Sequence, residues 1–377
     1  MKSKKKLLEV AQVFFKMGCI AFGGPAAHIA MMEEEVVNKR KWMSRQYFLD
    51  LIGVTNLIPG PNSTEMTMHC GHERAGVPGL FVAGISFIFP AVVITGFFAW
   101  LYTTYGSLPN VEPFVFGIKP AVLAIIAGAI LKLGKKALKG WELGVLGLLV
   151  LAASLLGFNE VTVLLIAGLL GTIYFTSKSK LNDTPKSIVP LVLLQASSTS
   201  VLKITSIKVF WTFLKVGSVL YGSGYVLFAY LDAELVTTGW LTQQELMDAI
   251  AVGQFTPGPV LSTATFIGYQ LTGFWGAIAA SLGIFLPSFL FVLVLNPLIP
   301  KMRKSKVLRY FLDSVNVAAV AVMLGVLFEM SRVILINDWR AILIAVISMG
   351  ITFGLKKSNA MWTVLGGSLL GYLLLLF

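Results

Sequence analysis

Two short stretches of this chain carry the residues best suited to holding an anion. "LIPGPNST" sets Pro59, Gly60 and Pro61 ahead of Asn62, Ser63 and Thr64, and "FTPGPVLST" sets Pro257, Gly258 and Pro259 ahead of Ser262 and Thr263. Each proline deletes a backbone donor and clashes with the preceding turn, at a cost of about 3 kcal/mol inside a helix, while the glycine permits the bend. A helix restarting after such a break presents free N–H groups and the positive end of its dipole, which together form an anion site. The Asn, Ser and Thr side chains that follow add further donors. Two other interruptions have the same character: "AFGGPAAH" contains Gly23 and Gly24, and "LYGSGYV" contains Gly222, Ser223 and Gly224. Glycine lets backbone amides approach a ligand closely.

The elements that must position these residues are membrane helices. Of 377 residues, 56% are hydrophobic and 13% charged, against roughly 25% charged in soluble domains. Mean hydropathy is +0.81. Apolar runs at 78–101, 113–131, 141–156, 161–177, 282–299, 310–330, 340–355 and 361–377 approach or reach the length that crosses a ~30 Å hydrocarbon core. The expectation is an all-α polytopic membrane protein with the lipid bilayer as its surroundings. A net charge of +12 implies no nucleic-acid partner, because basic cytoplasmic loops produce such a balance. The start, "MKSKKKLLEVAQVFFKMG", has a basic head but no small-residue cleavage site, so it is expected to stay on the protein as a cytoplasmic N-terminus. The two cysteines, Cys19 and Cys70, give no disulfide framework.

In this setting Lys16 and Lys215 stand out. A lysine inside an apolar segment costs about 2.5–3.5 kcal/mol at mid-membrane, so it faces a polar cavity with a partner unless its stem snorkels to the headgroups. Lys119, before Pro120, is a weaker candidate of the same kind. His28, Glu33 and Glu35, with Asp232 and Glu234 later in the chain, are either a solvated acidic face paired with nearby Lys and Arg or proton-coupling groups with His28 as relay. "MHCGHE" at 68–73 lacks the spacing of a zinc site, and no metal or other cofactor is expected. There is no P-loop and no nucleophile–base order, so the chain does not read as an enzyme.

The chain repeats itself. "FFKMGCIAFGGPAAHIAMMEEEVV" aligns with "FLKVGSVLYGSGYVLFAYLDAELV", bringing Lys16 onto Lys215, Gly18 onto Gly217, Gly23 onto Gly222, Glu33 onto Asp232 and Glu35 onto Glu234. One-residue slips then match Trp42 with Trp240, the two Pro-Gly-Pro triplets with each other, and Gly71, Gly76, Gly79 and Pro90 with Gly268, Gly273, Gly276 and Pro287. Two repeats are expected at 1–180 and 205–377, joined by a linker at 181–204 in which "SIVPLVLLQASSTSVLKI" is a candidate extra crossing. Equivalent loops differ in charge: "KRKWMSR" faces "TTGWLTQ", and the basic "KMRKSKVLR" at 301–309 faces the uncharged "LYTTYGSLPN". Because basic loops stay in the cytoplasm, the repeats are expected to cross the membrane in opposite directions. Paired helix breaks in inverted repeats point to a transporter site near the midplane.

"FGGPAAHIAMMEEEVV", Trp42, "NLIPGPNST", and their later counterparts "GSGYVLFAYLDAELV", Trp240 and "QFTPGPVLSTATFIGY" together resemble the chromate ion transporter family in its long, two-domain form. The resemblance covers essentially the whole chain. It implies a polytopic inner-membrane carrier of chromate, acting as efflux in members that confer chromate resistance, with sulfate as the isosteric relative. The second copy departs from the first, with "GSG" for "GGP", Val226 in the region of His28 and Val260 for Asn62, so the half-sites are not chemically equivalent. The reading is a secondary transporter of a tetrahedral oxyanion, working by alternating access, with Lys16 and Lys215 supplying charge. A passive anion channel is the competing class, and an intramembrane enzyme acting on an anionic headgroup is a weaker one. A homodimer is compatible with the sequence.

The loop charges yield a test of orientation. Cysteines introduced at Ser107 and Ser305, in a background without Cys19 and Cys70, should be labelled by an impermeant reagent from opposite sides of the membrane, and labelling of both from one side would refute the inverted arrangement.

Overall fold

The computed structural model describes residues 2–22, 24–55, 58–106, 112–179, 204–220, 224, 226–295, 305–336, 338–354 and 360–376. Among these there is no strand. The first part runs α1 (Lys2–Ile20), α2 (Gly24–Met32), a π-helical stretch (Glu33–Lys39), α3 (Arg45–Thr55), α4 (Asn62–Tyr105), α5 (Glu112–Ala137), α6 (Trp141–Leu155) and α7 (Glu160–Lys178). The second runs α8 (Ser206–Val219), α9 (Leu227–Leu231), a second π-helical stretch (Asp232–Val236), α10 (Gln243–Phe255), a 3-10 turn (Val260–Ser262), α11 (Thr263–Leu295), α12 (Lys306–Leu335), α13 (Trp339–Gly354) and α14 (Ala360–Leu376). Even the π-helical stretches fall at matching places. The candidate crossing at 187–204 lies, but for its last residue, outside the described residues.

α4 and α11 are helical hairpins. Ala75 (φ −142°) and Gly76 (φ +66°) interrupt α4, and Thr272 (φ −144°) and Gly273 (φ +68°) interrupt α11 in the same way. Glycine adopts the positive φ without the steric penalty of a Cβ. The chain then reverses, because a Cβ on Gly71 would run into Gly79 O and Ala83, and one on Gly268 into Gly276 O and Ala280. In a straight helix residues eight apart are separated by about 12 Å. The arms 62–74 and 77–105 therefore lie side by side with glycine against glycine, and 263–271 and 274–295 repeat this. Close glycine contact is what holds helices together where lipid removes the hydrophobic drive between them.

α1 packs on α4, α8 packs on α11, and α4 and α11 pack on each other. Gly18 and Gly217 permit the first two contacts: a Cβ there would stand 2.6 Å from Phe87 O and 2.5 Å from Ile284 O. The remaining helices interlock. α5 is covered by α13 and α14 from the second part, and α12 is covered by α6 and α7 from the first. Gly117 meets Gly367 and Gly371 at one of these contacts, and Gly171 meets Ser314 at the other.

The outward faces are apolar. Ile85, Phe89, Val93 and Phe97 form an exposed stripe on α4, and Leu282, Leu286, Leu290 and Val294 repeat it on α11. Four-residue spacing puts each set on one helix face, and a continuous exposed apolar stripe of this kind is a lipid-facing surface. Segments 62–105, 113–137, 260–294 and 306–335 are long and apolar enough to cross a membrane, with four shorter apolar helices, 141–155, 162–178, 339–354 and 360–376, beside them.

The hairpin contacts carry a prediction. Gly71→Val and Gly268→Val should each destabilise the detergent-solubilised protein by about 3 kcal/mol or more, since backbone rather than a movable side chain blocks the new atoms. Gly350→Ala, with nothing within 4 Å of the added carbon, should leave the thermal midpoint unchanged or raised.

Candidate functional site

Both Pro-Gly-Pro triplets are fully buried. α3 ends at Thr55 and α4 begins at Asn62, while α10 ends at Phe255 and helix resumes at Val260, so each triplet separates two helical pieces as the sequence leads one to expect. Neither restart has a side-chain cap, because Pro61 and Pro259 occupy the cap positions. Gly60 (φ +138°) and Gly258 (φ +92°) hold conformations in which other residues are strained.

The triplets are tied across the two parts of the chain. The Gly60 N–H donates to Leu220 O at 2.6 Å, at the end of α8, and the Gly258 N–H donates to Ala21 O at 2.9 Å, just past the end of α1. Under the sequence repeat these are the same bond made twice. Each triplet thus satisfies the last carbonyls of a helix broken in the opposite part, at the glycine interruptions that the sequence singles out. His28 joins the second of these contacts. Its buried Nε2 lies 3.1 Å from Ala21 O, and since a carbonyl only accepts, Nε2 carries the proton there. On the other side the Tyr230 hydroxyl donates to Val219 O at 2.8 Å.

The residues after each triplet are buried as well. Ser63 and Thr64 sit in the first turn of α4, and Thr64 Oγ1 has no hydrogen-bond partner among the described residues. Ser262 accepts from Thr95 Oγ1 on α4 at 3.1 Å, leaving its own proton free to donate, whereas Thr263 spends its hydroxyl on Val260 O at 2.8 Å. Asn62 is half-buried. Gly24 opens α2 with φ +79°, and Gly224 is buried within ordinary contact of Val260 and Leu261. Gly23, Gly222 and Ser223 lie outside the described residues.

The lysines and most of the acids take other places. Lys16 and Lys215 are exposed, so they do not join the buried triplets, and Lys215 pairs with Glu234 at 2.6 Å. Glu33 pairs with Arg45 at 2.9 Å, and Glu35 with Lys39 at 3.1 Å and Arg40 at 3.4 Å. The Lys39 ammonium hydrogen-bonded to Glu35 holds that carboxyl below the usual range. These three carboxylates form surface ion pairs, the first of the two alternatives the sequence leaves open. Asp232 differs, being buried.

Three polar features were missed by sequence reasoning. Glu65, fully buried in the first turn of α4, has no partner for either oxygen among the described residues. Ser288 on α11 is equally buried and unpartnered, and a Cβ on Gly60 would meet both side chains. Asp248 on α10 accepts from Tyr102 OH at 2.6 Å and pairs with Lys119 Nζ at 3.5 Å. That cluster fixes the half-helix before the second triplet to α4 and α5. The repeat could have pointed to Asp248, which falls on Asp50 of "RQYFLD", but not to its partners. Among the described residues no group of three His, Cys, Asp or Glu side chains converges on a metal site.

A multi-pass all-helical bundle with paired, buried helix breaks defines a membrane transport protein. The chain belongs to the chromate transporter family, whose model matches residues 8–172 and again 207–372. It is 29% identical to the "Probable chromate transport protein" of Synechococcus elongatus, over 93% of this chain and 91% of that one. It is 28% identical to the "Chromate transport protein" of Cupriavidus metallidurans, over 97% and 92%. No solved structure matches it.

The Lys119–Asp248 pair is testable. Lys119→Met should destabilise by about 3 kcal/mol because it strands a buried carboxylate, and adding Asp248→Asn should recover most of that loss. A double-mutant cycle on the thermal midpoint measures the coupling, and additive losses would show that the pair contributes nothing.

Proposed function

We propose that the protein moves chromate, or a related tetrahedral oxyanion such as sulfate, across the plasma (inner) membrane as a secondary transporter working by alternating access. The observation that carries this reading is the pair of buried Pro-Gly-Pro triplets, each ending one half-helix, starting another without a side-chain cap, and bonded to a broken helix in the opposite part of the chain. A tetrahedral dianion offers acceptors on all sides, which suits helix N-termini and hydroxyl donors and needs no metal. Thr64 and Ser262 have hydroxyl protons available for it, with Asn62, Ser63 and Thr263 beside them in the chain. Lys16 and Lys215, being exposed, act on the approach of the anion rather than in contact with it. The relatives named as chromate transport proteins support the choice of substrate.

In this proposal the repeats 1–180 and 205–377 have inverted topology, with the N-terminus cytoplasmic. Their equivalent contacts support it: Gly60 to Leu220 mirrors Gly258 to Ala21, and the α5 and α12 packing is exchanged between the two parts. Two discrete packings of one part on the other would then expose the site alternately to each side. No nucleotide-binding motif occurs in the sequence, so in this proposal an ion gradient, the membrane potential or a partner supplies the energy.

Counterflow in proteoliposomes tests the reading, because a carrier exchanges labelled for unlabelled anion and a passive channel does not accumulate label. Wild-type protein should show chromate and sulfate counterflow. Thr64→Ala and Ser262→Ala should each weaken half-saturation by about five- to tenfold, corresponding to one hydrogen bond of about 1–1.5 kcal/mol. Gly60→Ala, strained at φ +138°, should lower the thermal midpoint by an amount corresponding to about 1–3 kcal/mol. Counterflow no greater than in protein-free vesicles would overturn the proposal.

A further inference from the structure

The first triplet is built around a carboxyl group that no ion pair explains. Glu65 is completely buried, and among the described residues neither oxygen has a hydrogen-bond partner and no ion pair includes it. Ser288 Oγ, from the second arm of α11, is buried beside it and also unpartnered, and both atoms crowd the same side of Gly60. Thr64, the neighbouring residue, is the third side chain with an unpartnered buried oxygen. Buried polar groups without a partner occur a few per hundred residues in native structures, but three side chains gathered at one uncapped helix start beside a positive-φ glycine call for a functional explanation.

The second triplet lacks all of this. There the space beside Gly258 is filled by Ala91, the repeat counterpart of Ser288, and Thr263, the counterpart of Glu65, has its hydroxyl satisfied by Val260 O. A structural need at the helix break would apply to both copies. The carboxyl and its hydroxyl neighbour therefore serve something that only one half-site does.

The elements packed on α4 supply no counter-charge. α1 brings Lys16, which is exposed, and Glu9, held by Arg74. α2 brings His28, occupied with Ala21 O, and α3 brings Asp50 and Arg45, the latter exposed and paired with Glu33. α10 brings Asp248, held by Lys119 and Tyr102, and α11 brings Tyr269. His69 and Cys70, one turn further along the same arm, are also buried titratable groups. None of these is hydrogen-bonded to Glu65. A lone carboxylate in such a place is strongly disfavoured unless it takes up a proton, and a dianion arriving at the same helix start repels it further.

We infer that Glu65 is the proton-coupling residue of this transporter: the carboxylate takes up a proton as the oxyanion binds, the two cross together, and the proton leaves when the anion does. The inference rests on the oxyanion-transport reading and gives its energy source. Binding and protonation are then reciprocal, each favouring the other by the same factor.

The test uses full-length protein in proteoliposomes, with sulfate and chromate as probes and a pH dye inside. Counterflow without a gradient tests the transport reading by itself. Given counterflow, the wild type should accumulate sulfate when an inward proton gradient is imposed, and sulfate entry should acidify the lumen. Glu65→Gln, which keeps the shape of the protonated acid, should show exchange that no longer varies with pH and should lose both accumulation and acidification. Glu65→Asp should retain some of each. Net sulfate uptake by the wild type without luminal acidification, gradient-driven accumulation surviving in Glu65→Gln, or accumulation that follows a sodium gradient at fixed pH would each overturn the inference while leaving oxyanion transport, shown by counterflow, standing.

Discussion

The bond from the Gly60 N–H to Leu220 O, and its counterpart from Gly258 to Ala21 O, is the constraint around which the rest of the molecule is arranged. Breaking a helix in a bilayer leaves polar backbone groups that lipid cannot satisfy, at a cost of several kcal/mol each. This protein breaks several helices and lets the breaks satisfy one another. The glycine of each triplet must take a conformation and a closeness that a side chain would prevent, and the carbonyl it meets belongs to a helix that ends at its own glycine-rich interruption. Neither part of the chain can close its breaks alone. That mutual dependence explains why the two parts interlock further out, with α5 covered by α13 and α14 and α12 by α6 and α7.

Within this near-symmetric frame the chemistry is one-sided. The first triplet adjoins Glu65 and Ser288, whose counterparts are Thr263 and Ala91. The second triplet follows a half-helix latched by Asp248 to Lys119 and Tyr102, and the residue matching Lys119 is the neutral Asn316. Duplication supplied two equivalent breaks. Divergence then gave one break an unpartnered carboxyl and the other a charged tether. In the proposed transport cycle such a division is useful, since a group that changes charge and a group that fixes position make opposite demands on their surroundings.

Much of this could be read directly from residue order. The helix breaks, the duplication and the apolar segments follow from the geometry of proline and glycine and from the insolubility of backbone groups in lipid, both local properties. The stripe of Ile85, Phe89, Val93 and Phe97 likewise has a helical period visible in the sequence. The prominence of Lys16 and Lys215 was less informative. A lysine in an apolar run has two solutions, a cavity or an exposed edge, and only the packing of α1 and α8 shows both side chains on the outside.

What the tertiary structure alone decided is which separated groups share a space. Gly76 and Gly273 appear in the sequence as ordinary helix interruptions, but the approach of Gly71 to Gly79 and of Gly268 to Gly276 makes them points of reversal. Glu65 reads as one more polar residue after a break until Gly60 and Ser288 close around it. Residue order determines where the backbone must bend and which faces meet lipid, because those depend on neighbours a few positions away. Burial without a partner depends on every element packed around a side chain, so the loneliness of the Glu65 carboxyl emerges only when α4 and α11 come together.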